Sequence, residues 1–295
     1  MEKVLGAIET GGTKIICAVG DITGRITDRI MFPTERPEMS VPKMIDFFRD
    51  KGIDAIGIGA FGPIDVIPGS KDYGNIRKCE RDGWSFYPLL RTVCDELCVP
   101  GEMDTDVNTA CLAEYTYGAG KGKEILLYIT VGTGIGIGIT IDGRPIHGMM
   151  HPEGGHVGAI RHPDDTFKGT CPFHGDCIEG LACGPAIKER WGRPGAELTD
   201  REEVWDMESH YLAQLVRNCR MTVAPNRIVM GGGVMQQPSL IPKIRRLVAQ
   251  QVNGYMDCTE TEDMDSYIVP SILGGDQGIL GGFVLADMAL RGGRR

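Results

Sequence analysis

The 295-residue sequence is short of positive charge and of long apolar runs. Lys and Arg number 31 against 40 Asp and Glu, and the resulting net charge of −9 argues against a protein that holds nucleic acid by its phosphate backbone. No apolar run approaches the ~20 residues that a membrane-spanning helix needs. The first residues also lack the apolar core of a signal peptide. The sequence therefore predicts a cytoplasmic protein with neither a nucleic-acid nor a membrane partner.

The ten cysteines lack the regular spacing of a disulfide framework, which indicates free thiols plus a metal site in a reducing compartment. Three of them and four of the six histidines lie in the stretch His151–Cys183. Cys171, His174 and Cys177 follow one another at intervals that suit zinc, and His156 is the best candidate for a fourth ligand. Four protein ligands would close the coordination sphere, so this zinc would be structural. The alternative is an incidental cluster of histidines and cysteines.

Strands and helices alternate along the chain, which predicts an α/β class, and the length favours about two domains. The glycine-rich connector Gly118–Lys123 is the first candidate boundary. We expect a small N-terminal domain of residues 1–117 joined by a C-terminal helix at about 277–295. The larger domain would cover residues 118–276 and contain the candidate zinc loop, residues 151–183.

Two β-hairpins of the same design are predicted, one in each half of the chain, which suggests an internal duplication. Their turns are Gly11-Gly12 with Thr13 and Lys14, and Gly132 to Gly134. Glycines let backbone N–H groups approach an anion without a Cβ in the way, although a bare hairpin turn is the simpler alternative. A third bare turn, Gly231–Gly233, follows a predicted strand and would let a flat base or a sugar approach closely.

Asp106 is a candidate catalytic base because it follows a predicted strand and precedes a helix expected from about Thr109. Asp104, two residues earlier, is expected to cap a turn. Before them, residues 65–83 show no period and are predicted as an exposed loop or lid, and Trp84–Leu97 as an amphipathic helix.

Taken together these segments resemble the ROK sugar kinases, a family with the actin-like, ribonuclease H-like ATPase fold of two domains around a cleft. The resemblance is carried, in the family's order, by Glu9–Lys14, Thr130–Gly136, Asp104–Asn108, Glu153–His156 with the following Cys/His cluster, and Gly231–Val234. Within the family the chain is most similar to the bacterial fructokinases, through Cys17–Gly20, His151-Pro152-Glu153 and Cys171–Gly180. The segment around Cys79–Asp82 departs from the family pattern, which leaves the sugar preference open.

The resemblance implies transfer of the γ-phosphoryl group of ATP to a hexose in the presence of Mg²⁺, most simply fructose to fructose 6-phosphate. Asp106 would accept the hydroxyl proton, and Glu9 would orient the hydrated metal ion. The implied nucleotide contacts are Glu9, Gly11, Gly12, Thr13, Lys14, Thr133, Gly134, Gly231 and Gly232. The implied sugar contacts are Gly62, Asn108, Glu153, His156 and Glu179, with structural Zn²⁺ on His156, Cys171, His174 and Cys177. ATP, ADP and a hexose are the expected ligands, and a homodimer is the expected assembly.

Three alternatives remain. Another kinase of the family, acting on glucose, mannose or N-acetylmannosamine, would carry the same motifs. A sugar-responsive repressor of the family would carry a helix-turn-helix domain before the first phosphate motif, whereas here the first strand is predicted from about Val4. A zinc hydrolase would need an open coordination position, which four protein ligands would fill.

Overall fold

The structure is a computed structural model, and it describes residues 3–293. Its strands are β1 (Leu5–Thr10), β2 (Lys14–Gly20), β3 (Ile26–Pro33), β4 (Ala55–Ala60), β5 (Gly101–Thr105), β6 (Ile125–Val131), β7 (Ile135–Ile141), β8 (Arg144–Pro145), β9 (Arg227–Gly231) and β10 (Ile268–Pro270). Its helices are α1 (Pro37–Phe48), α2 (Leu89–Leu97), α3 (Asp106–Thr116), α4 (Ile178–Ala182), α5 (Gly184–Trp191), α6 (Glu202–Val223), α7 (Leu240–Val252), α8 (Thr259–Glu262), α9 (Met264–Tyr267) and α10 (Gln277–Leu290). These elements form two compact units, and the α/β class is confirmed.

Unit 1 contains the chain up to Gly118, the segment Gly143–Pro152 and the chain from Leu273 onwards. Its sheet has the strand order β3-β2-β1-β4-β5. The first three strands pair antiparallel, whereas β1, β4 and β5 run parallel to one another. Because parallel strands end at the same edge of a sheet, the residues that follow these three strands are brought together there.

The central strands β1 and β4 are buried on both faces, and because side chains alternate along a strand, neighbouring residues pack in different cores. On one face Ile8 belongs to a core that includes Met44 and Phe48 of α1 and Val93 of α2. On the other face Leu5 and Ala7 pack in a second core, which contains Ala113 of α3 together with Ile279 and Phe283 of α10. Unit 1 is therefore a three-layer arrangement with helices on both sides of one sheet.

Helix α10 approaches the sheet closely because glycines face each other. A Cβ on Gly57 of β4 would lie 1.9 Å from the carbonyl oxygen of Gly282, so any other residue would push the helix away. A Cβ on Gly281 would likewise lie 1.8 Å from the carbonyl oxygen of Thr109 in α3. This packing also brings the start of α10 next to the end of β1.

Unit 2 contains residues Ala119–Asp142 and Glu153–Ile272. Its strands β10, β9, β6 and β7 lie in that order; β6 and β7 form an antiparallel hairpin, and β9 pairs parallel with both β6 and β10. The order β7-β6-β9-β10 repeats the order β2-β1-β4-β5 with the same directions. The predicted internal duplication is confirmed at the level of topology.

The long helix α6 supplies much of the core of unit 2. Trp205, Tyr211 and Leu215 are buried along it, and α7 and α4 pack against it. Among the described residues, no helix combines the length and apolarity required to cross a bilayer.

The segment Gly143–Pro152 groups with unit 1, whereas the sequence assigned it to the larger domain. Two histidines account for the difference. His151 Nε2 accepts a 3.1 Å hydrogen bond from the backbone N–H of Ile64, and His147 Nε2 lies 3.1 Å from Oδ2 of Asp104. Residues 273–276 also group with unit 1, while residues 1–2 and 294–295 of the predicted small domain lie outside the described residues.

Candidate functional site

Three parallel strands of unit 1 end in register at Thr10, Ala60 and Thr105. The first glycine turn follows β1, the exposed Gly62 follows β4, and Asp106 follows β5. Chain topology alone thus gathers three of the predicted site segments at one edge of the sheet. The predicted site residues of this unit are Glu9, Gly11, Gly12, Thr13, Lys14, Gly62, Asp106 and Asn108.

The first glycine turn is a tight, exposed hairpin. The N–H of Gly11 donates to the carbonyl oxygen of Lys14 at 2.9 Å, and this bond closes the turn. Gly12, Thr13 and Lys14 are all exposed to solvent. The turn can therefore receive an anion without rearrangement of a buried core.

Glu9 is the penultimate residue of β1 and lies in an enclosed position. Its Oε2 has no hydrogen-bond partner among the described residues, and a Cβ on Gly278 at the start of α10 would lie 2.3 Å from its carboxyl carbon. Burial, reinforced by the negative charge of Asp106, raises the pKa of Glu9 to about 7, although Lys14 and Arg29 act in the opposite direction. An enclosed carboxylate oxygen without a donor suits a cation or its bound water.

Asp106 is the first residue of α3, which begins three residues before the predicted Thr109. The helix starts early because Thr105 caps it, its Oγ1 accepting from the N–H of Asn108 at 3.1 Å. Asp106 is exposed, and its Oδ1 accepts from the N–H of Val107 at 2.8 Å. A carboxylate fixed at a helix start and open to solvent can accept a proton from a bound ligand.

Asp104 does more than cap a turn, since it organises a buried polar group. Its Oδ1 accepts from the N–H of Thr105 at 2.7 Å and from Nδ2 of Asn108 at 2.8 Å. His147 Nε2 lies 3.1 Å from Oδ2 of the same carboxylate. The amide orientation of Asn108 is thereby fixed, because a flipped amide would place its oxygen against a carboxylate. Its Oδ1 is then an enclosed acceptor without a partner among the described residues.

Sequence reasoning missed His147 and Arg81. His147 is 43 positions from Asp104, and Arg81, in the loop before α2, donates from Nη1 to the carbonyl oxygen of Gly12, 69 positions away, at 2.6 Å. Neither residue belongs to a recognisable local motif. The departure of the Cys79–Asp82 segment from the family pattern was the single available signal for Arg81.

In unit 2 the second glycine turn lies beside Glu179. Oε2 of this carboxylate accepts from the N–H of Ile135 at 2.8 Å, and a Cβ on Gly134 would lie 2.7 Å from the same oxygen. Oε1 of Glu179 lies 3.7 Å from Nε2 of His156. One carboxylate therefore connects the turn that contains Thr133 and Gly134 with the histidine of the Cys/His cluster.

The third glycine turn packs on the end of β6. Gly232 has φ +96°, and a Cβ there would lie 2.3 Å from the carbonyl oxygen of Val131. The N–H of Gly184 donates to the carbonyl oxygen of Gly132 at 2.7 Å, so the second turn is tied to the start of α5. The predicted nucleotide contacts Thr133, Gly134, Gly231 and Gly232 thus lie in one region of unit 2.

The predicted metal ligands come together in unit 2. One ligand atom from each of His156, Cys171, His174 and Cys177 lies within 4.8 Å of all the others. Sγ of Cys171 is 3.6 Å from Nδ1 of both histidines, and Sγ of Cys177 is 3.6 Å from Nδ1 of His156. Tetrahedral zinc with ordinary Zn–S and Zn–N bonds would separate sulfur and nitrogen by about 3.6 Å. The four side chains therefore fit a tetrahedral metal ion.

Local structure explains how this loop is formed. Cys171 and Gly175 exchange backbone hydrogen bonds of 3.2 and 2.9 Å, and Gly175 takes the φ of +67° that this tight turn requires. Cys177 begins α4, with Sγ accepting from the N–H of Gly180 at 3.4 Å. Burial raises the pKa of the Cys177 thiol to about 11.

Glu153 is exposed and precedes the 3₁₀ turn Gly154–His156. That turn lies against β7, since a Cβ on Gly155 would be 1.8 Å from the carbonyl oxygen of Ile135. Glu153 is thus held near the residues that follow the second glycine turn. The other two histidines of the loop bind the backbone, His151 by accepting from the N–H of Ile64 and His162 by accepting from that of Asp164.

Comparison with known proteins gives a consistent result. The model of the ROK family matches residues 5–289. A Bacillus subtilis (strain 168) protein whose name includes fructokinase is 47% identical over 289 residues, with 98% of this chain and 97% of the relative covered. The fructokinase of Pediococcus pentosaceus is 41% identical over 288 residues, covering 98% and 99%. The crystal structure of the ROK hexokinase from Thermus thermophilus is 26% identical with a TM-score of 0.77, covering 99% of this chain and 100% of that one.

Proposed function

The chain belongs to the ROK family, and on that premise we propose that it transfers the γ-phosphoryl group of ATP to fructose, giving fructose 6-phosphate and ADP. Relatives with fructokinase in their names match it at 41% and 47% identity over nearly their whole length, which supports fructose as the acceptor. The actin-like ATPase fold agrees with this assignment.

The observation that carries the proposal is the position of Glu179. Its carboxylate is 2.8 Å from the N–H that follows Gly134 and 3.7 Å from the imidazole of His156. A sugar held by Glu179 and His156 would lie next to the second glycine turn, where we place nucleotide phosphate. A phosphotransferase needs this proximity of acceptor and donor, because its catalysis depends mainly on alignment and charge stabilisation.

We place the sugar hydroxyls on Glu153, His156 and Glu179, with Gly62 and Asn108 as further contacts. Carboxylates accept two hydrogen bonds and can therefore distinguish one hydroxyl configuration from another. The Cys/His cluster would hold a structural Zn²⁺, which fixes the loop and the tautomer of His156. Nδ1 faces the two sulfurs and leaves Nε2 for the sugar and Glu179.

We place the nucleotide on the glycine turns. Gly11, Gly12, Thr13, Lys14, Thr133 and Gly134 would hold phosphate, and Gly231 and Gly232 the adenosine. Mg²⁺ bound to ATP would neutralise phosphate charge, and Glu9 would orient the water around it. The enclosed Oε2 of Glu9 fits this role, and a divalent cation nearby would favour the ionised carboxylate.

Asp106 would act as the base. As the sugar oxygen bonds to the γ-phosphorus, its hydroxyl proton passes to Asp106, and the bond to the bridging oxygen of ADP breaks with its electrons leaving on ADP. The exposed carboxylate at the start of α3 and the neighbouring amide of Asn108 suit this task. General-base assistance of this kind contributes about 10²- to 10⁴-fold.

The runner-up is a kinase of the same family that acts on glucose, mannose or N-acetylmannosamine. An ADP-release assay across these sugars and fructose decides between them, with the product identified by ³¹P NMR. The proposal expects fructose to give the highest kcat/KM and a 6-phosphate product. A higher value with another hexose would assign the enzyme to that sugar. We also propose a homodimer, which light scattering of the purified protein would test.

A further inference from the structure

The loop that departs most from the family pattern places a cation on the first glycine turn. Nη1 of Arg81 donates to the carbonyl oxygen of Gly12 at 2.6 Å. Nη2 lies so close that a Cβ on Gly12 would be 2.6 Å from it. The guanidinium therefore lies directly over the hairpin turn of unit 1.

The position of Arg81 is fixed by its surroundings. Its guanidinium carbon lies 4.4 Å from the centre of the Phe61 ring, a cation–π contact. The loop is anchored beyond it, because Trp84 is buried and donates from Nε1 to the carbonyl oxygen of Glu35 at 2.8 Å. Asp82 accepts from Arg36 at 2.8 Å. The segment predicted as an exposed loop or lid is thus an anchored loop that holds Arg81 in place.

Neither of the two cations at this turn, Arg81 and Lys14, forms a salt bridge among the described residues. Lys14 acts on the Glu9 carboxylate only at longer range, whereas cations such as Lys3, Arg29 and Arg190 form salt bridges elsewhere. Arginine has five N–H donors, and Arg81 uses one on Gly12. A guanidinium from a distant segment thus lies on a glycine turn that itself contains the exposed Lys14, an arrangement that favours an anion.

We propose that Arg81 binds the terminal phosphoryl group of the nucleotide and stabilises its charge during transfer. This inference rests on the proposed function. The guanidinium offers two parallel N–H donors to phosphate oxygens, a geometry that an ammonium group cannot reproduce. Arg81 then contacts the γ-phosphoryl group, so ADP, which lacks that group, is bound without its help.

The test measures binding of a non-hydrolysable ATP analogue, ADP and adenosine by calorimetry in the wild type, Arg81→Ala and Arg81→Lys. Loss of a charged hydrogen-bonding partner predicts that Arg81→Ala weakens analogue binding about 10- to 100-fold, with ADP and adenosine changed less than threefold. Arg81→Lys keeps the charge but loses the paired hydrogen-bond geometry, so its affinity for the analogue lies between those of the wild type and Arg81→Ala. Lys78→Ala, which removes an exposed cation from the same loop, is the matched control and stays at wild-type affinity.

Turnover gives a second readout. Arg81→Ala lowers kcat and leaves KM for fructose unchanged, because the lost contact is to the phosphoryl group. Equal loss of affinity for all three nucleotides, together with a lower Tm, would show that Arg81 only clamps the hairpin turn and would overturn the proposal. Analogue affinity equal to that of wild type would do the same. The binding measurements need no hexose, so a wild type that phosphorylates none would defeat the proposed function without deciding the role of Arg81.

Discussion

The imidazole of His156 is shared between the Cys/His cluster and Glu179. Nδ1 lies 3.6 Å from the sulfurs of Cys171 and Cys177, and Nε2 lies 3.7 Å from Oε1 of Glu179. A metal ion on the first nitrogen would therefore hold the second one toward the proposed sugar site. The cluster and the proposed sugar contact Glu179 are therefore structurally linked through His156.

Cys171→Ser and Cys177→Ser should lose zinc and bind fructose more weakly, while binding of a non-hydrolysable ATP analogue changes much less. Each change replaces a thiolate ligand by a hydroxyl, which zinc binds poorly. Zinc content by mass spectrometry and affinities by calorimetry check this. Cys98→Ser, at an exposed cysteine outside the cluster, is the control and keeps its metal. Purified wild-type protein without zinc would disprove the metal assignment.

His147→Ala should raise KM for fructose by about tenfold and leave KM for ATP nearly unchanged, because His147 and Asp104 hold Asn108 with its Oδ1 free to accept. His147→Gln keeps an N–H donor and should recover part of the loss. Steady-state kinetics with each substrate varied in turn measure the effect, with His162→Gln as control. An unchanged KM for fructose in His147→Ala would remove the residue from the sugar site.

Glu208→Gln should stabilise the fold, and increasingly so as pH rises. Glu208 is fully buried in α6, and burial raises its pKa well above the ordinary 4.5, with Arg190 opposing this. The folded state then keeps a proton that the unfolded chain releases, so the free energy of unfolding falls as pH rises above 4.5. Glutamine has no titratable proton, so Glu208→Gln removes this decrease in stability at higher pH.

Thermal unfolding at pH 5 and pH 8 tests this prediction. The Tm gain of Glu208→Gln over wild type should be larger at pH 8 than at pH 5. Glu189→Gln, at an exposed carboxylate of α5, should show no such difference. A gain of equal size at both pH values would mean that Glu208 is ionised or paired in the folded protein.

The sequence predicted those elements whose signals are local. Helix α10 begins at Gln277 as predicted and ends at Leu290, before the expected end of the chain, and both glycine hairpins are present. Spacing identified three candidate metal ligands, Cys171, His174 and Cys177, because they occupy one short loop, and His156, the best candidate for the fourth, lies with them.

Other features depended on distant contacts. The helix predicted from Trp84 begins at Leu89, since Phe86 takes a φ of 64° and the indole of Trp84 bonds to Glu35 instead. Residues 65–83 were predicted as an exposed loop, yet Ile76 within them is buried. Strand β3 was not predicted, because its sequence does not alternate cleanly between apolar and polar residues.

The most direct test of the account is the turnover of Asp106→Asn with fructose and ATP. Asparagine keeps the size of the side chain and removes its capacity to accept a proton, so kcat should fall by about 10²- to 10⁴-fold. Fructose and the ATP analogue should still bind with affinities near those of wild type. Turnover close to the wild-type rate would contradict the account, because the enzyme would then transfer phosphate without Asp106 as its base.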